Sequence, residues 1–177
     1  RSSAASDVYK RQGREVEELV KPLVEGRSAG VVSEAGVPGV ADPGALVVEA
    51  CHRHGIRVVP LVGPSSVILA VMASGLNGQS FAFNGYLPVK PPERVQAIRR
   101  FERRAQSERQ SQLFIEAPYR NVKLMEQLLQ TLAPETRLTL AMDITAPGEY
   151  IRTLPVREWR SVRLPEMNRR PAIFIIG

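Results

Sequence analysis

The chain has 177 residues, of which 44% are apolar and 24% charged, a balance typical of a globular protein with a buried core. No stretch approaches the ~18 consecutive apolar residues of a membrane span, and the single cysteine, Cys51, excludes an intrachain disulfide and a thiolate metal cluster. The formal net charge is +6, and we expect a basic, cytoplasmic protein without a membrane partner.

Residues 1–12 differ from the rest of the chain, since they have neither an apolar stripe nor the core of a signal peptide. Their last six letters, DVYKRQ, resemble the translation of a transposon-end adapter used in sequencing libraries. We therefore expect residues 1–12 to be an adapter-derived, non-native segment and the natural protein to be truncated upstream of them.

The first half of the remaining chain alternates between helical and strand-like patterns. The predicted elements are helices over 14–25, 44–54 and 65–74 and strands over 29–33 and 56–61. This alternation favours an α/β layer with parallel strands. We expect an N-terminal α/β domain over 13–85 that lacks its first strand or strands.

A strand at 80–84 is followed by GYLPVKPPE, whose prolines predict a linker over 86–92. A second α/β domain is then expected over 93–177. Its predicted elements are helices over 93–109 and 121–132 and strands over 112–117, 137–142 and 171–176. The fold class is thus α/β with two domains.

Residues 33–44, SEAGVPGVADPG, form a cluster of turn residues directly after a predicted strand. Ligands of open α/β sheets bind at such positions. The loop matches neither G-x-x-x-x-G-K-S/T nor G-x-G-x-x-G, which argues against nucleoside triphosphates and dinucleotides. Its glycines allow close backbone approach, and Glu34 and Asp42 favour a cation or a hydroxylated ligand. A proline-shaped turn without a ligand is the alternative.

Histidine and serine chemistry have little support in the sequence. His52 and His54, the only histidines, lie two apart on a predicted helix and point to different faces, so no metal site is expected. Ser65 and Ser66 follow a Gly-Pro turn without a G-x-S-x-G pattern, so we expect them to cap a helix or to contact a ligand.

Two polar clusters follow predicted strands in the second half. They are Glu116 with Tyr119 and Arg120, and Asp143 with Thr145 and Glu149. The carboxylates can hold or deprotonate a hydroxyl, and Arg120 can bind a phosphate or pair with Glu116. We assign candidate catalytic roles to Glu116, Arg120 and Asp143, with a structural ion pair as the alternative.

The predicted helix over 93–109 concentrates arginines where its apolar stripe is thin. These candidate RNA-binding residues are Arg94, Arg99, Arg100, Arg103 and Arg104. Because Glu93, Glu102 and Glu108 dilute the positive charge, a solvated helix face is the alternative.

Four segments occur in a familiar order: SEAGVPGVADPG, VVPLVGPSSVILAVMASGL, FNGYLP and LFIEAPYR. They resemble the signature segments of the ribosomal RNA small subunit methyltransferase I group in the tetrapyrrole methylase superfamily. The resemblance covers about Glu15 to Gly177, and Glu34, Val37 and Tyr119 stand where that group has Asp, Thr and His. The chain looks like a divergent paralogue of the group.

This resemblance implies a class III S-adenosylmethionine-dependent methyltransferase, usually a homodimer, whose two α/β/α domains bind the cofactor in the cleft between them. The implied substrate is a ribose 2′-hydroxyl in RNA of the small ribosomal subunit. The implied cofactor contacts are Ala35, Gly36, Val37, Pro38, Val40, Ser65, Ser66, Val67, Ala117, Met142, Pro171 and Ala172. We expect no metal, and the truncated chain itself is expected to bind the cofactor poorly. A methyltransferase of a tetrapyrrole or another small molecule and a non-catalytic binding or scaffold protein are the alternatives.

Overall fold

Two compact units, Arg1–Pro64 and Ser65–Gly177, make up the chain in the computed structural model, which describes residues 15–33 and 36–177. The expected adapter-derived segment, 1–12, lies outside the described residues. The division does not coincide with the predicted linker at 86–92. The helix Ser66–Ser74 and the strand Phe81–Tyr86, which we expected in the first domain, belong to the second unit because they pack on and pair with its sheet.

The described part of the first unit contains helix α1 over 15–24 and helix α2, Ala45–Arg53, as expected from their apolar spacing. Their facing sides bury a small core of Val20, Ala50 and Cys51. On the surface, the Glu17 carboxylate accepts from Arg53 Nη2 at 2.8 Å and contacts His54 Nε2 at 2.9 Å, which links α1 to the end of α2.

The two strands predicted in the first unit, over 29–33 and 56–61, are not formed; both segments are irregular. Neither is part of a sheet in the portion of the chain that the structure describes. Their apolar residues are largely exposed, as at Val32 and Leu61. A strand needs a neighbour to satisfy its backbone N–H and C=O groups, so an apolar, β-branched sequence is insufficient by itself.

The second unit is built on a five-stranded sheet in the order β1-β2-β5-β3-β4. The strands are β1 Phe81–Tyr86, β2 Ser111–Ile115, β3 Arg137–Met142, β4 Tyr150–Pro155 and β5 Ala172–Ile176. Only β1 and β2 run parallel, whereas β5 is antiparallel to β2 and β3, and β4 is antiparallel to β3. The sheet is therefore mixed, and the short connection between β3 and β4 permits only an antiparallel pairing of these two strands.

Helices cover both faces of this sheet. They are α3 Ser66–Ser74, α4 Pro91–Glu108, α5 Asn121–Thr131 and the short α6 Val156–Trp159. The Ser65 hydroxyl accepts from the backbone N of Ile68 at 3.5 Å, which confirms Ser65 as the cap of α3. Pro91 occupies the first turn of α4, where its missing N–H has no cost. No helix in the described residues is both long and apolar enough to cross a membrane.

The core of the second unit has two layers. Phe114, Phe174 and Trp159 are fully buried between the sheet and helices α4 and α5, and the Trp159 indole N–H donates to the carbonyl of Leu138 at 2.7 Å. On the other face, Leu113 and Ile175 pack against α3. Burial on both faces explains why β5 reads as the unbroken apolar run AIFII.

Candidate functional site

Polar residues that the sequence predicted at strand ends lie together in the second unit, where strands β2 and β3 end and strand β5 begins. Because β5 is antiparallel to both β2 and β3, its first residue lies beside the last residues of these two strands. Met142 pairs with Ala172, and the backbone N of Asp143 donates to the carbonyl of Pro171 at 3.1 Å. Glu116 directly follows β2 at the same edge. We call residues 116–121, 143–149 and 168–171 the carboxyl edge.

Glu116 and Arg120 form the first ion pair of the carboxyl edge. Glu116 Oε1 accepts from Arg120 Nε at 3.0 Å, from Arg120 Nη2 at 2.7 Å and from the backbone N of Ala117 at 2.7 Å. The side chain of Glu116 is 0% exposed, and its Oε2 is buried without a hydrogen-bond partner. The hydrogen bond to Glu116 is the main cause that raises the pKa of Arg120. Glu116 is thus sealed from solvent and orients a permanently charged guanidinium.

Asp143 and Arg170 form the second ion pair. Arg170 Nε donates to Asp143 Oδ2 at 2.7 Å, Nη1 donates to the carbonyl of Glu166 at 3.0 Å and Nη2 donates to the carbonyl of Gly148. The amide of Asn121 donates to the carbonyl of Arg170 at 2.6 Å. Arg170 therefore ties the loop after β3 to the turn before β5, and the Asp143 side chain stays 19% exposed.

The loop between β3 and β4, residues 143–149, closes on itself. The Glu149 carboxylate accepts from the backbone N of Thr145 at 2.7 Å, and the backbone N of Ala146 donates to the carbonyl of Asp143 at 2.9 Å. Asp143 and Thr145 have φ values of 46° and 70°, in the left-handed region. Glu149 consequently shapes the loop from an exposed position, whereas the Asp143 side chain is 19% exposed and paired with Arg170.

The other residues predicted to contact the cofactor in the second unit differ in accessibility. Met142, Val67 and Ala172 are buried in the core, so only their backbone atoms can meet a ligand. Ala117 and Pro171 lie at the carboxyl edge and are partly or fully accessible. Ser65 caps α3, and Ser66 is exposed in its first turn.

The glycine-rich loop of the first unit is described from Gly36 onward, so the predicted contact Ala35 and the neighbouring Glu34 lie outside the described residues. The backbone N of Val40 donates to the carbonyl of Val37 at 3.4 Å, and that of Gly39 donates to Pro43 at 3.3 Å, which confirms a turn. Gly36 and Gly39 have φ values of 76° and 78°, and a Cβ at either would meet no atom within 4 Å. Their backbone is therefore open to a ligand.

Helix α4 presents four of the five predicted RNA-binding arginines to solvent: Arg99, Arg100, Arg103 and Arg104. Of these, Arg104 pairs with Glu108 at 3.0 Å. Arg94 differs, since it is 6% exposed and donates to the carbonyls of Pro88 and Val89 at 2.8 and 2.5 Å. Its guanidinium fastens the segment before α4 and is not available to a phosphate, which corrects its expected role.

Metal ligation finds no candidate in the described residues, because no group of three or more His, Cys, Asp or Glu side chains converges there. Sequence reasoning missed Arg170 and Asn121, which organise the carboxyl edge. The only sequence feature that pointed towards Arg170 is its position directly before the predicted terminal strand.

Comparison with known proteins gives a family match over residues 2–159, to the model described as Tetrapyrrole (Corrin/Porphyrin) Methylases. Ribosomal RNA small subunit methyltransferase I of Vibrio cholerae is 34% identical over 158 residues, which are 89% of this chain and 54% of that protein. Its counterpart in Escherichia coli O157:H7 is 33% identical over 163 residues, 92% of this chain and 56% of that protein. The chain thus spans about half the length of the curated relatives it matches.

Solved structures with the same architecture include the methyltransferase CobJ, with a TM-score of 0.61 and 22% identity over 93% of this chain and 70% of that one. The uroporphyrin-III-C-methyltransferase from Thermus thermophilus has a TM-score of 0.53 and 24% identity over 94% of this chain and 71% of that one. These similarities confirm the expected α/β fold class.

Proposed function

The chain belongs to the tetrapyrrole (corrin/porphyrin) methylase family, and from this premise we propose that the whole protein is an S-adenosylmethionine-dependent methyltransferase acting on a ribose 2′-hydroxyl in small-subunit ribosomal RNA. The observation that carries the substrate is the 34% identity to a relative named for that RNA. The exposed arginines of α4 support an RNA partner.

The residues present fit a sulfonium cofactor. Gly36 and Gly39 leave backbone open for close approach, and the loop over 36–44 contains no basic side chain that would repel a positive sulfur. Pro38 would add contacts by its backbone and apolar surface. In the second unit, Ala117 and Pro171 are the predicted contacts that are partly or fully accessible. When bound, the cofactor supplies a methyl group activated for attack by an oxygen nucleophile.

Of the candidate catalytic carboxylates, we propose that Asp143 rather than Glu116 meets the substrate. The Asp143 side chain is 19% exposed, whereas the Glu116 side chain is 0% exposed and holds Arg120. Arg170 fixes Asp143 Oδ2 and leaves the second carboxylate oxygen to accept a hydrogen bond from the ribose hydroxyl. Arg120 would bind a neighbouring phosphate, so that the hydroxyl oxygen is aligned for transfer.

Tritiated S-adenosylmethionine tests this proposal when the full-length protein containing this chain is incubated with undermethylated small ribosomal subunits. We expect label in RNA, recovered after alkali as a resistant dinucleotide, since a 2′-O-methyl group removes the nucleophile of alkaline cleavage. Label in mononucleotides would instead indicate base methylation and would refute the ribose assignment.

A small-molecule substrate is the second candidate, favoured by the printed description of the matching family. Label confined to a low-molecular-mass fraction, with unlabelled RNA, would support it over the RNA proposal. Absence of S-adenosylmethionine binding in calorimetry of the full-length protein would support a non-catalytic binding or scaffold role over both.

We also propose that the protein is a cytoplasmic homodimer, as in the group that it resembles. Sedimentation equilibrium of the full-length protein checks the assembly, with twice the monomer mass expected at micromolar concentration. A monomer mass across that range would contradict the dimer.

A further inference from the structure

Two exposed tyrosines flank the carboxyl edge and have no role in the cofactor site described above. Tyr86 is the last residue of β1, paired in register with Ile115, and Tyr119 lies in the short 3-10 turn that follows β2. Because β1 and β2 are parallel, both tyrosines stand at the same end of the sheet. They are 63% and 66% exposed, which is high for aromatic side chains outside an interface.

Arg120 contacts one of these tyrosines and also forms the ion pair with Glu116. Its guanidinium carbon lies 5.2 Å from the centre of the Tyr119 ring, within the range of a cation–π contact. Both tyrosines also contribute to the raised pKa of Arg120, after the larger effect of the Glu116 hydrogen bond. Since buried Glu116 holds the guanidinium, Arg120 and the Tyr119 ring that it contacts are positioned before any ligand arrives.

Two basic residues adjoin the Tyr119 side of this cluster. Lys123 lies in the first turn of α5, and the backbone N of Arg169 donates to the carbonyl of Pro118 at 3.2 Å, so both residues adjoin the turn that carries Tyr119. Their side chains are exposed, and neither forms an ion pair with another residue in the described ranges. Unpaired cations beside exposed rings favour a ligand that carries both phosphates and flat, unsaturated surfaces.

We propose that Tyr86 and Tyr119, the latter held by its contact with Arg120, form a stacking platform for an unpaired base of the RNA substrate, next to the ribose that is methylated. This inference rests on the proposed function and names the form of RNA that the site accepts. Aromatic rings and guanidinium planes bind splayed-out bases by their faces, while a base inside a duplex does not present its face. Lys123 and Arg169 would contact the flanking phosphates.

The test measures binding of a fluorescein-labelled single-stranded hexaribonucleotide to the full-length protein by anisotropy. Tyr86→Leu/Tyr119→Leu keeps apolar area but removes both rings, whereas Tyr86→Phe/Tyr119→Phe keeps the rings. We expect the leucine pair to weaken binding by at least about tenfold and the phenylalanine pair to stay within about twofold of the wild type, since stacking depends on the ring face. Val89→Ala, an exposed apolar change near Tyr86, is the matched control and should change nothing.

Wild-type affinity of the leucine pair for the hexamer would overturn the platform. So would a leucine pair whose assembly state changes while RNA binding does not, because the rings would then serve a protein interface. Both tyrosines are exposed, so the variants should fold, and an unchanged thermal transition checks this.

Methyl transfer is measured separately, so that failure of the platform and failure of the proposed function are distinguishable. If the wild type methylates RNA, the leucine pair should raise KM for RNA by at least about tenfold and leave kcat at saturating RNA within about twofold. An unchanged KM would refute the platform while the methyltransferase assignment stands. Ring-dependent hexamer binding without any methyl transfer would refute the assignment and leave the platform.

Discussion

Segments 29–33 and 56–61 of the first unit and strands β2 and β5 of the second are similar in their apolar, β-branched or aromatic composition. In the second unit, β5 lies between β2 and β3, and helices cover both faces of the sheet. In the first unit, the corresponding side chains of Val32 and Leu61 are largely exposed, and the described core contains three buried residues. The contrast teaches that neighbours, and not composition, turn such a segment into a buried strand.

The candidate ligand-binding region of the first unit is also held by weaker interactions than that of the second. The described part of the loop over 36–44 is held by backbone hydrogen bonds of 3.3 and 3.4 Å. The carboxyl edge is held by two arginine–carboxylate pairs, each with a 2.7 Å contact. Charge-assisted pairs fix side chains before binding, so the carboxyl edge is the preorganised region.

Core truncation should give the largest difference between the units. Trp159→Ala removes a fully buried side chain and the hydrogen bond to Leu138, and we expect it to lower the free energy of unfolding by about 3–5 kcal/mol. Val20→Ala in the small core of the first unit should cost about 1–2 kcal/mol. Urea unfolding of the full-length protein measures both, and equal losses would break the comparison.

Removal of the buried carboxylate should have the next largest effect. Glu116→Ala removes the acceptor shared by the Arg120 guanidinium and the backbone N of Ala117, and we expect it to lower the free energy of unfolding by less than Trp159→Ala does. Adding Arg120→Met should recover part of that loss, because the unpaired charge is then gone. If the double variant were as unstable as the sum of the two single variants, the pair would not be coupled.

Arg170 should control the loop over 143–149. Arg170→Ala removes donors to Asp143, Gly148 and Glu166, so we expect amide exchange at Thr145 and Ala146 to accelerate by about tenfold. The neighbouring Arg169→Ala is the control, because Arg169 is exposed and pairs with no described carboxylate. Equal exchange rates in the two variants would contradict the assigned role of Arg170.

The smallest expected effect is a pH dependence in the first unit. The pKa of Glu17 is lowered below 4.5, first by its hydrogen bond to His54 and then by the nearby Arg53. A lowered folded-state pKa stabilises the fold above pH 4.5, and this contribution is lost as the pH falls through the folded-state value. Glu17→Gln should flatten the acid side of the stability profile measured by urea unfolding, whereas exposed Glu18→Gln should preserve it.

Local pattern predicted much of the second unit. The bounds of β3 agree with the prediction, and α4, α5 and β5 differ from it by one or two residues, because their apolar periodicity records the face they bury. Glu116 and Asp143 were predicted as candidate site residues because each follows a predicted strand, and the structure places both after a strand. Strand β4 was missed, since it is half-buried along most of its length and shows no clean alternation.

Long-range side-chain partners could not be predicted from the sequence. Arg170 is 27 residues from Asp143 in sequence and contacts it only because β5 lies beside β3. The local sequence of neither segment predicts that strand order. Arg94 lies on the same arginine-rich helix as Arg99 and Arg103, yet its guanidinium donates to carbonyls of the segment before that helix. The roles of these arginines depend on which carbonyl or carboxylate the fold places within reach.

Single-turnover methyl transfer to small-subunit RNA by the full-length protein most directly tests the claim that the carboxyl edge carries the reaction. We predict that Asp143→Asn lowers the rate by at least about 100-fold, because the carboxylate proposed to accept the ribose hydroxyl is lost. Glu149→Gln in the same loop should stay within about threefold, because the Glu149 carboxylate accepts from the backbone N of Thr145. A wild-type rate for Asp143→Asn, or no transfer to RNA by the wild-type protein, would contradict the account.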